Sequence, residues 1–316
     1  MLGETIALVV AVSWTAGALV GELASKRLGA LPLNVIRMAL SLLLLGTALY
    51  FMAGRPYPWL ADGQTWLWMA LSGLIGFGFG DYCLFNSYVL IGSRFSQLFM
   101  TLASPFAALA ALLLLGERMS SLAVLGMGVT VVGIGMSILG KQDAHTSQSA
   151  TEKGIHLSVK LPFKGFLFGI GASLGQGIGL VLSKVGLEHY AMAAADAQIS
   201  PLLFPVGGTM IRTMAGLVCF LTLLMLRNEW SKLKLALHDG VGMRHAFIAT
   251  LLGPAVGVSL SLLALQYTEA GVAQTLMSLV PVLIIWPSRL LFGTKVTTTE
   301  VVGAIIAVAG VTLFFV

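Results

Sequence analysis

An all-α membrane protein with ten transmembrane helices, arranged as two inverted five-helix repeats, is the fold this sequence predicts. Three observations carry that prediction: the composition, a series of apolar stretches of spanning length, and a recurrence of residues between the two halves. Of 316 residues, 57% are hydrophobic and only 10% charged, and the mean hydropathy is +0.94. Soluble domains carry about 45–50% apolar and about 25% charged residues. Disorder needs low hydrophobicity and high charge. Both classes are therefore excluded, and the 37 glycines fit the glycine enrichment of membrane helices.

Taken in order, the first-half spans fall at about residues 2–24, 33–53, 65–90, 94–115 and 121–140. A membrane helix needs about 20 apolar residues, and each stretch supplies them. The first lacks a basic leader and a cleavage site, so it reads as a helix and not a removable signal. Ser25-Lys26-Arg27 closes it, Gly54-Arg55-Pro56 closes the second, and Gly116-Glu117-Arg118 closes the fourth. The third holds four glycines between Gly73 and Gly80, enough to let it bend. Residues 141–163, rich in Gln, Ser, Thr, Lys and His, form a hydrophilic linker between a first repeat at 1–140 and a second at 164–316. Second-half spans fall at about 164–184, 204–226, 245–267, 271–292 and 298–316. The sixth carries Gly165/Gly169 and Gly171/Gly175/Gly179, and the first Gly17/Gly21, a four-residue spacing that lets helix backbones approach. No span alternates with period two, so a membrane barrel is excluded.

The halves repeat. A displacement of 177 residues lays Gln97, Met100 and Leu102 on Gln274, Met277 and Leu279, and Gly116, Gly126 and Gly133 on Gly293, Gly303 and Gly310. Ser25-Lys26 meets Ser183-Lys184 at 158, and Ile36-Arg37 meets Ile211-Arg212 at 175. An odd number of spans per half makes the second copy enter the membrane from the opposite side. Inverted repeats around a shared midplane cavity are the construction that opens alternately to either side.

Trp14, Arg37 opening the second helix, the run from Ser104-Pro105 to Leu115-Gly116-Glu117-Arg118 and the Gly126/Gly133 spacing together resemble the drug/metabolite transporter superfamily, in its ten-helix EamA-type branch. The second copy departs at the equivalent turn, reading Phe292-Gly293-Thr294-Lys295, and loses the acid. The resemblance implies a multi-pass protein of the plasma (inner) membrane. It further implies movement of a small polar or amphipathic metabolite, often outward; a monomer or weak homodimer is expected.

Ionisable groups inside spans cost about 2.5–3.5 kcal/mol on insertion scales, so each needs an account. Asp81, inside the third stretch, is either a cavity carboxylate that carries protons as the coupling ion or the structural partner of Arg37. Asn86 follows it five residues on. Arg37 and Arg212, at equivalent helix starts, either snorkel to headgroups or bind a substrate carboxylate or phosphate by a planar two-point contact. Gln97, Gln176, Gln266 and Gln274 are candidate cavity amides, with interhelical hydrogen bonding as the alternative. Trp14, Tyr82, Tyr267 and Trp286 are candidate aromatic walls, with packing or interface anchoring as theirs.

An enzyme is not expected. Gly171-Ala172-Ser173-Leu174-Gly175 matches a nucleophile elbow, but that motif requires a strand-turn-helix setting. All five histidines fall in loops or at span edges, and no phosphate loop or helical zinc motif is present, so neither cofactor nor ATP-driven pumping is expected. Cys83 and Cys219 give no metal spacing, and the scattered basic residues give no nucleic-acid stripe. A channel or uncoupled facilitator is the alternative function. Orientation has two readings. The resemblance puts the termini in the cytoplasm, which leaves 3 basic loop residues there against 13 outside; the positive-inside rule prefers the reverse.

Overall fold

A computed structural model of the chain describes residues 2–116, 120–149, 162–194, 200, 202–267, 276–293 and 296–313, with the backbone alone for 115, 123, 139–149, 265 and 266. All regular structure among the described residues is helical. Among the described residues six helices are long and apolar enough to cross a membrane, and four shorter apolar ones, Ala103–Leu114, Val124–Ile138, Val280–Phe292 and Thr298–Thr312, fall in the remaining four predicted spans.

The first half runs α1 (Leu2–Leu28), α2 (Ala30–Ala53), α3 (Gly63–Gly73), a π-helical segment (Leu74–Asp81), α4 (Tyr82–Met100), α5 (Ala103–Leu115) and α6 (Ser121–Ser149). The third span is α3, the π segment and the start of α4. Gly92, at φ 81°, kinks α4 and begins the fourth span there. The Glu22 carboxylate of α1 accepts the Ser93 N–H at 2.6 Å and so caps the restarted helix. The second half runs α7 (Phe163–Ala193), α8 (Leu203–Arg227), a short α9 (Trp230–His238), α10 (Gly240–Thr250), a second π segment (Leu251–Val258), α11 (Ser259–Tyr267), α12 (Val280–Leu283), α13 (Ile285–Phe292) and α14 (Thr298–Thr312).

Three local features obey the 177-residue repeat of the sequence. The two π segments, Leu74–Asp81 and Leu251–Val258, are its images of one another. The glycine-rich run permits one, and Pro254, which has no N–H to donate, sits inside the other. The helices that lead into them are capped by Asp62 and Asp239, whose carboxylates accept from Thr65 N at 2.8 Å and Gly242 N at 3.0 Å. Gly116 and Gly293 end α5 and α13 in the left-handed conformation, which only glycine enters without a Cβ penalty.

Packing interlocks the halves. The π segment of the third span lies on α7 with backbones touching: a Cβ at Gly175 would stand 2.7 Å from the Gly80 Cα, and one at Gly179 would stand 2.9 Å from the Gly76 Cα. In the mirror arrangement the second π segment lies on α1, where Ser13 Oγ donates to the Leu252 carbonyl at 2.9 Å. Helices α6 and α14 press together through Gly126, Gly133, Gly303 and Gly310. A Cβ on Gly303 would meet the Gly133 carbonyl at 2.7 Å, and one on Gly310 the Gly126 carbonyl at 2.8 Å. The repeat exchanges these two contacts, as a two-fold axis between inverted copies requires. Thr130 and Ser137 on α6 hydrogen-bond the Ala307 and Glu300 carbonyls across the same seam.

The sequence-based spans omit α9. Its nine residues are too few to cross a membrane, and it lies at the end of the molecule where Arg27 pairs with Asp239 and the Lys26 ammonium lies 5.2 Å from the Phe292 ring centre.

Gly133→Val drives a branched side chain into the α14 backbone and should lower stability by about 1–3 kcal/mol, read as a drop in the melting temperature of the purified protein. Gly128→Val, on the same helix with open space at its Cβ position, should leave that temperature nearly unchanged.

Candidate functional site

The π segment of the third span delivers Asp81 into the protein interior, where 5% of the residue is exposed. Its carboxylate is held on both oxygens. Arg37 of α2 donates from Nη1 to Oδ2 at 3.1 Å, and Gln176 of α7 donates from Nε2 to Oδ1 at 2.8 Å. Asn34, one turn before Arg37, takes a second guanidinium bond at 3.0 Å, and the Phe85 ring centre lies 4.1 Å from the guanidinium carbon. These contacts offset part of the cost of taking the pair out of water, with the Arg37 Nε left buried and without a partner. The same Gln176 amide also donates to the Gly76 carbonyl at 3.2 Å within the π segment.

Arg212 reaches the same region from α8. It is 4% exposed, its guanidinium carbon lies 4.6 Å from the Phe77 ring centre, and its Nε has no hydrogen-bond partner. The two arginines are related by the repeat in their surroundings as well as in sequence. A Cβ at Gly253 would meet Arg37 Nη2 at 3.3 Å, and a Cβ at Gly76, its image 177 residues earlier, would meet Arg212 Nη2 at 3.0 Å. Each guanidinium thus lies against the π segment of the opposite half.

Beside this cluster lies a cavity of about 780 Å³ of empty space, counting its open mouth. Trp14, Gln97 and Thr101 of the first half and Gln176, Arg212 and Ser261 of the second are among its lining residues. Trp14, Gln176 and Arg212 stand near the middle of their helices. Gln97 is fixed by donating to the Tyr88 hydroxyl at 2.6 Å.

Of the residues singled out in the sequence, Trp14, Gln97, Gln176 and Arg212 therefore meet at one cavity. Arg37 and Asp81 meet each other, joined to the cavity wall by Gln176. Tyr82 lies elsewhere: its hydroxyl accepts from Arg227 Nη1 at 2.6 Å, and Asn86 donates back to the Tyr82 carbonyl at 2.7 Å. Tyr267, 49% exposed, and Trp286, 69% exposed, are on the outer surface. The Gln266 side chain and Gln274 lie outside the described residues. Thr101 and Ser261, on the cavity wall, are sites the sequence reading passed over; short hydroxyl side chains in apolar runs leave no pattern to find.

Glu22 pairs at 2.5 Å with Lys26, four residues on and at the spacing that favours a helical ion pair. One pair was not anticipated: Arg94, counted from sequence among the loop cations, lies against the buried Glu300 at 2.7 Å. The signal for Glu300 is the Thr297-Thr298-Thr299-Glu300 run before an apolar stretch, a capping sequence whose Thr297 Oγ1 accepts from Glu300 N at 3.2 Å. Outside the spans, hydrogen bonds from Thr65 hold the Asp62 carboxyl below its ordinary pKa, and the Arg27 side chain does the same for Asp239. Among the described residues no group of three or more His, Cys, Asp or Glu could hold a metal ion.

Comparison with known proteins adds the following. The EamA-like transporter family model matches residues 1–139 and 163–316. A search of curated proteins returns no match. Eighteen chains of solved structures match. One, titled only as a crystal structure of a protein, superposes with a TM-score of 0.55 at 15% identity, covering 98% of this chain and 95% of that one. At that identity the likeness speaks for the fold.

Breaking a buried pair by removing one partner costs about 3–5 kcal/mol, whereas replacing both with apolar groups is far milder. Asp81→Asn should therefore lower the melting temperature more than the double change Arg37→Met/Asp81→Leu does. Thermal unfolding of the three proteins in detergent checks the order.

Proposed function

The chain belongs to the EamA-like transporter family, and from that premise we propose that it is a secondary carrier of the plasma membrane. In this reading it exports a small polar or amphipathic metabolite by alternating access. A membrane transporter with a small-molecule substrate is what membership supports directly; mechanism, direction and membrane are our reading. The observation that carries it is a cavity walled by helices of both halves, Trp14 and Gln97 from one and Gln176 and Arg212 from the other. Inverted halves around one site open to either face when one rocks against the other.

The basic end bears Lys26, Arg27, Arg227, Lys232 and Lys234, and we place it in the cytoplasm, with both termini on the other side. Asp81 is the proposed proton carrier. It is held by Gln176, a cavity residue, so a change at the cavity reaches the carboxylate through one amide.

The channel reading needs a selectivity ring, commonly built by oligomeric symmetry, whereas the polar residues of this cavity are single and asymmetric. Purified protein in liposomes separates the two. A carrier shows saturable uptake accelerated by substrate on the far side; flux rising linearly with concentration and indifferent to that substrate contradicts the proposal. With Asp81→Asn, exchange should persist while pH-driven accumulation is lost, and retained accumulation would remove Asp81 from coupling. Tags at either terminus should be reached by an impermeant reagent from outside intact cells.

A further inference from the structure

The repeat places Arg37 and Arg212 in equivalent positions but gives them unequal company. Asp81, the acid that neutralises Arg37, has Val258 as its image 177 residues later, and Phe85, which stacks on Arg37, has Leu262. Val258 and Leu262 both line the cavity, as does Arg212. The second half therefore keeps the arginine and has lost its acid, and the place where that acid would stand is the wall of the cavity. Arg37 bonds Asn34 and Asp81, whereas Arg212 makes no hydrogen bond or ion pair among the described residues; the Nε of each is buried without a partner. Arg37, Asp81 and Arg212 together leave one positive charge uncompensated within the span region. An isolated buried charge is expensive, so the site is built to receive a counter-charge.

Building on the carrier reading, we infer that the substrate brings the missing acid: Arg212 binds the carboxylate of an amphipathic metabolite of net charge −1. A guanidinium presents a planar fork that matches a carboxylate at two points. One surplus positive charge balances a carboxylate, whereas a phosphate monoester carries about −1.5 to −2. Arg212 is the one ionisable residue among the described lining. A substrate ammonium finds no free carboxylate there, because Asp81 is already held by Arg37 and Gln176. Trp14, Leu262 and Met277 offer an apolar wall for the body of such a molecule.

The test is binding of phenylacetate, phenylacetamide, phenethylammonium and phenyl phosphate to the full-length protein in detergent, by thermal-shift titration. A bond to a charged partner is worth about 1.5–3 kcal/mol, so phenylacetate should bind about tenfold or more tighter than the other three. In Arg212→Gln that preference should vanish, leaving carboxylate and amide equal. Val258→Asp restores the acid of the first half; it should fold at least as stably as the parent, because it pairs Arg212, and should lose phenylacetate binding. Equal binding of acid and amide by the parent, preference for the ammonium or the phosphate, no binding of phenylacetate, or an intact preference in either variant overturns the inference. Phenylacetate bound but never exchanged in liposomes leaves this inference standing and removes the carrier reading. Saturable exchange of cations does the reverse.

Discussion

Backbone contact between inverted halves is the constraint on which the rest of this structure depends. Gly76 and Gly80 meet Gly179 and Gly175, and Gly126 and Gly133 meet Gly310 and Gly303, closely enough that a Cβ at most of these positions would run into the opposite backbone. Lipid offers helices no hydrophobic reason to associate, so close van der Waals approach and cross-helix hydrogen bonds must supply the cohesion. The glycines allow that approach. With the third span against α7 and the second π segment against α1, Arg37 reaches Asp81 and Arg212 reaches Gly76 of the π segment that carries Asp81.

The π segments translate that packing into chemistry. Passing from one helical register to the other leaves carbonyls without a partner in their own helix, and the opposite half takes them up. Gln176 donates to the Gly76 carbonyl, and Ser13 donates to that of Leu252. Gln176 also holds Asp81 and lines the cavity, so one side chain links the helix irregularity, the buried ion pair and the hollow. Unwound or irregular backbone is tolerated at membrane depth where protein or a cavity surrounds it, and both π segments occupy such places.

Much of the fold was legible because membrane insertion writes itself in long apolar runs, and because the duplication left Gln97 and Gln274, or Gly133 and Gly310, at a constant offset. The π segments were not legible. Leu74–Asp81 and Leu251–Val258 read as ordinary apolar helix, with the glycines and Pro254 as the sole hints. The helix α9 is too short to register against a spanning criterion. At the site, polarity inside a span marked out residues in need of an account but did not say which way each faced. Asp81 and Arg37 turn toward each other, whereas Tyr82 and Asn86, only one and five residues beyond Asp81, bond along or outside their own helix. Arg94 and Glu300 escaped because each sits at a helix start, where a charge ordinarily reaches water.

The central claim is that one cavity serves both faces of the membrane without ever joining them. Its most direct measurement is two-sided accessibility of a single cysteine at Ser261, with Cys83 and Cys219 replaced by alanine, in sealed vesicles holding glutathione. The account predicts that an impermeant maleimide modifies position 261 from either face while the trapped glutathione stays unmodified. Modification from one face alone, or loss of the trapped thiol, would contradict it.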